Sequence, residues 1–155
     1  MTDFLSREEK KISDEFKRKG YVVKKVSDLK SLSQIKKIFI KSIRKNLKLS
    51  HKYKNEDDLL NCIHKDISID KLNNFRLKII NDTNKVKDLR NLYYKISRSL
   101  LDIILGNELA MQLRINLSIQ LPEDSNSLLP IHSDVWSGDS PFETVVWLPL
   151  VDCYK

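Results

Sequence analysis

A run of strict alternation limits what this chain can fold into more than any other feature. Met111, Leu113, Ile115, Leu117, Ile119 and Leu121 are apolar, while Gln112, Arg114, Asn116, Ser118 and Gln120 between them are polar. A period of two matches the pleat of a β-strand, where successive side chains point to opposite faces. The run therefore predicts a strand with one face packed on apolar material. Its other face is polar yet bears one charge, Arg114. A wet outer surface often carries Lys and Glu; neutral hydrogen-bonding side chains also suit the interior of a barrel that holds a polar ligand.

The chain before this run has a helical period. Residues 5–19 predict a charged helix with Leu5, Ile12 and Phe16 on its apolar side and Gly20 as its stop. Residues 21–26 are short and β-branched and predict a strand. Ser27 is expected to cap a helix whose stripe is Leu29, Leu32, Ile35, Phe39, Ile43 and Leu47, in steps of three and four. Residues 55–64 and 71–80 predict shorter helices, the second opened by Asp70. Residues 84–105 predict a long one, with Val86, Leu89, Tyr93, Ile96, Leu100 and Ile103 on one side and Gly106-Asn107 at its end. After the alternating run, residues 131–136 and Phe142 to Val151 read as strands on either side of a Ser137–Pro141 turn.

The expectation is thus an α+β chain forming a single domain over 1–155, mostly helical through residue 107 and built of the first strands of a sheet from 108 onward. So few strands neither close a barrel nor complete a sandwich. The domain is accordingly expected to be cut at its C-terminal side.

Charge divides along the same line. Residues 1–98 hold 26 Lys and Arg against 13 Asp and Glu, while residues 99–155 hold 2 against 8. A basic half can serve a polyanion, but no aromatic residues interleave with the lysines in a base-stacking pattern, so a solvated lysine-rich face is the plainer reading. No apolar run approaches the ~20 residues of a membrane span, and the opening residues lack the apolar stretch of a secretory signal. Cys62 and Cys153 have no CxxC neighbour and read as reduced thiols. The expected compartment is the cytoplasm.

Two places read His-x-Asp: His64 with Asp66, and His132 with Asp134. The bare motif is weak, and context must separate the two. In a strand, i and i+2 share a face, so His132 and Asp134 could present an imidazole and a carboxylate to one metal, as in the 2-His-1-carboxylate arrangement of non-haem Fe(II) oxygenases. In a helix the same spacing turns about 200° and cannot. His64, and His51 likewise, read as surface or capping residues. For His132 and Asp134 the bland alternative is a surface pair joined by a simple hydrogen bond.

From Gly106 to Asp152 the chain resembles the phytanoyl-CoA dioxygenase-like group of Fe(II)/2-oxoglutarate-dependent oxygenases. The order is a helix ending Leu105-Gly106-Asn107, the strand Gln112–Gln120, a polar loop, Pro130-Ile131-His132-Ser133-Asp134, and Val145-Val146-Trp147-Leu148-Pro149-Leu150-Val151-Asp152. Upstream, Phe16–Val23 followed by a helix looks like that group's opening. The chain is also similar to the oxygenases of bacterial surface-carbohydrate gene clusters. The resemblance implies a double-stranded β-helix, the cupin-like jelly roll, of which only the first strands are present. It implies His132 and Asp134 as iron ligands, Trp147 beside the 2-oxoglutarate co-substrate and Gln120 hydrogen-bonded to it. With O2 the implied reaction is hydroxylation of a small molecule, such as a carbohydrate or its activated precursor, coupled to decarboxylation of 2-oxoglutarate to succinate. The core strand is the plainer home for Trp147, and register alone suggests Gln120.

The chain departs from that pattern at two points. No His follows Asp134 to serve as the second histidine ligand, and the only basic residue after Arg114 is Lys155, so the Arg or Lys that pairs with 2-oxoglutarate has no match. Turnover by these 155 residues alone is not expected. Two other classes stand beside the oxygenase: a non-catalytic barrel remnant binding a small polar ligand, indifferent to metal, and a basic helical nucleic-acid module, sensitive to salt.

Overall fold

Ser6 starts the first helix by a reciprocal exchange. The Glu9 N–H donates to Ser6 Oγ at 3.3 Å and the Ser6 N–H donates to Glu9 Oε2 at 2.7 Å, which satisfies two backbone donors that the first turn leaves unpaired. This α1 runs Arg7–Lys19 and ends at Gly20, whose φ of 77° is the left-handed conformation a helix stop needs; its N–H reaches the Phe16 carbonyl at 2.8 Å. The computed structural model describes residues 4–125 and 130–153.

Among the described residues four more α-helices follow: α2 Leu29–Asn46, α3 Glu56–Cys62, α4 Ile69–Thr83 and α5 Leu89–Ile104. The α2 cap is Asp28, not Ser27: its carboxylate accepts from the Ser31 N–H at 2.9 Å and from the Ser31 hydroxyl at 2.6 Å. An aspartate offers two acceptor oxygens where a serine offers one. Asn55 caps α3 through the Asp58 N–H at 2.8 Å. The chain then tightens into a 3₁₀ turn, Ile63–Lys65. Ahead of α5, residues 84–88 form turns rather than the expected first helical turn, and Val86 is exposed, so the buried stripe of α5 begins at Leu89.

The chain divides into two compact units. One holds the described residues up to Lys37 together with Val86–Ile115; in it α1 lies against α5, and Ile35, Leu89, Leu92 and Ile115 are buried. The other holds Ile38–Lys85 and the described residues from Asn116 onward; its core comprises Phe39, Ile40 and Ile43 of α2, Leu59, Ile63 and Ile67, and Leu72, Phe75, Ile79 and Ile80 of α4. There the end of α2 is tied to the end of α4 by Asp82, which accepts from Asn46 Nδ2 at 2.7 Å and Lys45 Nζ at 2.9 Å. These hydrogen bonds hold the Asp82 carboxyl below its ordinary pKa.

The expected α+β architecture is not what forms. Among the described residues there is no strand and no sheet, so neither the jelly-roll strands of 108–155 nor the strand at 21–26 exists. Residues 131–136 run into a 3₁₀ turn, Asp134–Ser137, and 143–149 have no regular structure. The physical reason is that a period of two specifies which side chains face inward but supplies no partner, whereas a strand exists only by pairing with another. Along 111–121 the alternation survives as burial: Ile115 and Leu121 are buried, and every polar residue between is exposed. What it lacks is a ladder. The carbonyls of Met111 and Gln112 are instead taken by the Arg90 guanidinium, at 2.9 and 3.1 Å.

This distinction is measurable. Leu113 is 84% exposed and Ile115 only 7%. Ile115→Ala is expected to cost about 2–5 kcal/mol and Leu113→Ala less than about 0.5 kcal/mol in urea unfolding. Equal losses would mean that one continuous face is buried, as in a sheet.

Candidate functional site

The residues from Pro130 to Gly138 form a short, locally determined turn. Ser133 is extended, with φ −122° and ψ 133°, and Asp134 is the first residue of the 3₁₀ turn that follows. The Trp136 N–H closes that turn on the Ser133 carbonyl at 2.9 Å. Gly138 ends it with φ 97°, and its N–H reaches the Val135 carbonyl at 3.1 Å.

Within this frame His132 folds back. Its Nδ1 lies 2.7 Å from the Pro130 carbonyl oxygen. A carbonyl can only accept, so Nδ1 carries the proton and a neutral ring presents a lone pair at Nε2. That Nε2 is 3.4 Å from Asp134 Oδ1. Lone pair and carboxylate repel unless a proton or a cation stands between them. Two donors held ~2.1 Å from one ion at about 90–110° stand roughly 3.0–3.4 Å apart, so the spacing fits adjacent ligands of a metal. The carbonyl on Nδ1 is also the partner that metal-binding histidines usually have on their other nitrogen. Both side chains are about half exposed, which leaves the pair accessible.

The structure does not extend the site beyond this pair. Among the described residues no third His, Cys, Asp or Glu joins it to make a group of three. Gln120 is exposed, and Trp147 is 69% exposed, too open either to serve a core or to wall off a co-substrate; neither hydrogen-bonds to His132 or Asp134. His64 lies in the Ile63–Lys65 turn.

Sequence reasoning missed a second cluster. The side chain of Asp66 is 1% exposed, and its carboxylate accepts from the Ser50 N–H at 2.9 Å, the Ser50 hydroxyl, the Tyr53 hydroxyl and His51 Nδ1 at 3.1 Å. Burial alone would raise its pKa, but the hydrogen bonds from Ser50, Tyr53 and His51 outweigh burial and hold it well below the ordinary value. Burial and the same contact with Asp66 push the Tyr53 phenol up. His51, read as a surface or capping residue, is half exposed and pairs with Asp66. The available signal was the crowding of Ser50, His51 and Tyr53 ahead of an aspartate flanked by Ile63 and Ile67, both buried. Comparison with protein-family models, with curated proteins and with solved structures finds no match to this chain.

Proposed function

We propose that this chain carries part of the iron site of a non-haem Fe(II)/2-oxoglutarate-dependent dioxygenase, with His132 and Asp134 as two of the ligands. One observation carries the reading: Nε2 of a ring pinned at Nδ1 faces a carboxylate at metal-sharing distance. When bound, Fe(II) with 2-oxoglutarate and O2 would supply the oxidising chemistry that hydroxylates a small molecule, such as a carbohydrate or its activated precursor. The residues of the chain do the rest. The Pro130 carbonyl fixes the tautomer and aim of His132. The extended Ser133 and the turn closed at Gly138 hold Asp134 beside it. Free thiols at Cys62 and Cys153 favour a reducing, cytoplasmic setting. No helix among the described residues is long and apolar enough to cross a membrane.

Residues 135–155 hold no His, and binding to the pair alone is expected to be weak. Titration with Fe(II) under anaerobic conditions, or with Mn(II) followed by electron paramagnetic resonance, tests this. Loss of a partner behind a ligand typically costs 10–100-fold in affinity, so loss of a ligand should cost roughly tenfold or more. His132→Ala and Asp134→Ala are expected to lose the signal, and His64→Ala to keep it. Metal binding unchanged in His132→Ala, or absent from the unaltered chain, would overturn the reading.

A further inference from the structure

The stretch from residue 116 to 153 combines a one-sided charge with a run of exposed apolar side chains. It holds six acidic residues, Glu123, Asp124, Asp134, Asp139, Glu143 and Asp152, and no Lys or Arg. It also leaves large apolar side chains in water: Ile131 fully, Phe142 at 90%, and Trp136, Val145 and Trp147 by more than half. Its backbone is open as well, since among the described residues no hydrogen bond ties 144–150. Three exposed aromatic rings of about 150–250 Å² each, doubled across two copies, bring roughly 1,000 Å² of surface. That is on the order of the smallest specific interface.

Charge decides what covers it. Pairing of this stretch with its own copy, antiparallel about Trp147 and Leu148, would set Glu143 opposite Asp152 with no base to compensate; parallel pairing in register would set each acid against itself. The surface complementary to it in charge is a basic one. The first 98 residues of the same chain have an excess of 13 positive charges, concentrated in places such as the exposed last turn of α1, where Lys17 and Arg18 stand beside Lys19, itself paired with Glu15 at 2.7 Å. We infer that the acidic, apolar stretch of one copy docks on the basic helical part of a second copy. The contact joins two unlike surfaces, one from each copy, and its smallest product is a dimer. The apolar residues supply the driving force, and the charges choose the partner surface.

Sedimentation velocity of the full chain tests the inference at about 50 mM and about 500 mM NaCl, either side of the ionic strength where a charge contact is largely screened. A concentration-dependent dimer is expected at low salt, with its dissociation constant rising at least several-fold at high salt. Phe142→Ser with Trp147→Ser is expected to leave the circular dichroism spectrum and Tm unchanged, since both side chains are in solvent, and to give a monomer. Lys17→Glu with Arg18→Glu and Lys19→Glu is expected to weaken the dimer by the same order. A chelator should change nothing, which separates this inference from the metal site. A monomer at every concentration, a dimer indifferent to salt or to either variant, or aggregation that strengthens with salt would each overturn it.

Discussion

Phe39→Ala is expected to remove about 3–5 kcal/mol of stability, the largest loss foreseen for any single substitution in α2. Phe39 is 2% exposed and sits with Ile35, Ile40 and Ile43 on the buried side of the helix. Truncation to alanine loses the transfer energy of the ring and leaves a cavity that a packed interior closes only in part. Against the total of about 5–15 kcal/mol typical of a domain, the variant should unfold at markedly lower urea with an unchanged slope of free energy on urea. Phe4→Ala is the control, because Phe4 is fully exposed, and should stay within about 0.5 kcal/mol of the unaltered chain. Equal midpoints for the two variants would mean that α2 does not pack as described.

What could be read from the sequence follows from how local each feature is. The stop of α1 was legible because Gly20 acts within one turn of itself, whereas its start was set at residue 5, ahead of the Ser6–Glu9 exchange that opens the helix at Arg7. The stripe of α2 was legible in the same way, although its first residue, Leu29, is exposed. Pairing was not legible. The run 111–121 specifies inward and outward side chains, and Ile115 and Leu121 obey it, but no residue in the run can specify a neighbouring strand; Arg90 takes the carbonyls instead. The candidate metal pair lies between these cases. The spacing of His132 and Asp134 was legible, but they meet through the extended Ser133 and the turn after it, not through the pleat of a strand. Their anchor, the Pro130 carbonyl, was not foreseen. Asp66 was the hardest to read, since its partners lie 13 to 16 residues upstream in a segment without a period.

Asp66→Asn is expected to lower Tm by several degrees at pH 7, and the size of that gap should depend on pH. The carboxylate gathers donors from Ser50, His51 and Tyr53 and so fastens the segment after α2 to the turn after α3. An amide keeps the shape but loses the charge, and it turns an NH2 toward groups that are themselves donors. The sign of the pH effect follows from the direction of the pKa. Asp66 is acidified in the folded chain, so the unfolded chain takes up its proton first as pH falls. Its contribution is therefore complete above the unfolded value of about 3.9 and drains away below it, toward the lowered folded value. Several other carboxylates, including Glu9, Asp28 and Asp82, are shifted in the same direction. The wild-type profile alone therefore does not isolate Asp66; the difference between the two chains does. Measured by circular dichroism from pH 7 to pH 3, the Tm gap should be constant down to about pH 4 and then narrow, since a protonated aspartic acid and an asparagine carry the same charge. Tyr53→Phe should show a smaller gap at pH 7, because Asp66 keeps its Ser50 and His51 donors. A gap that persists unchanged to pH 3 would mean that Asp66 stabilises the fold by its shape and packing, not by its charge.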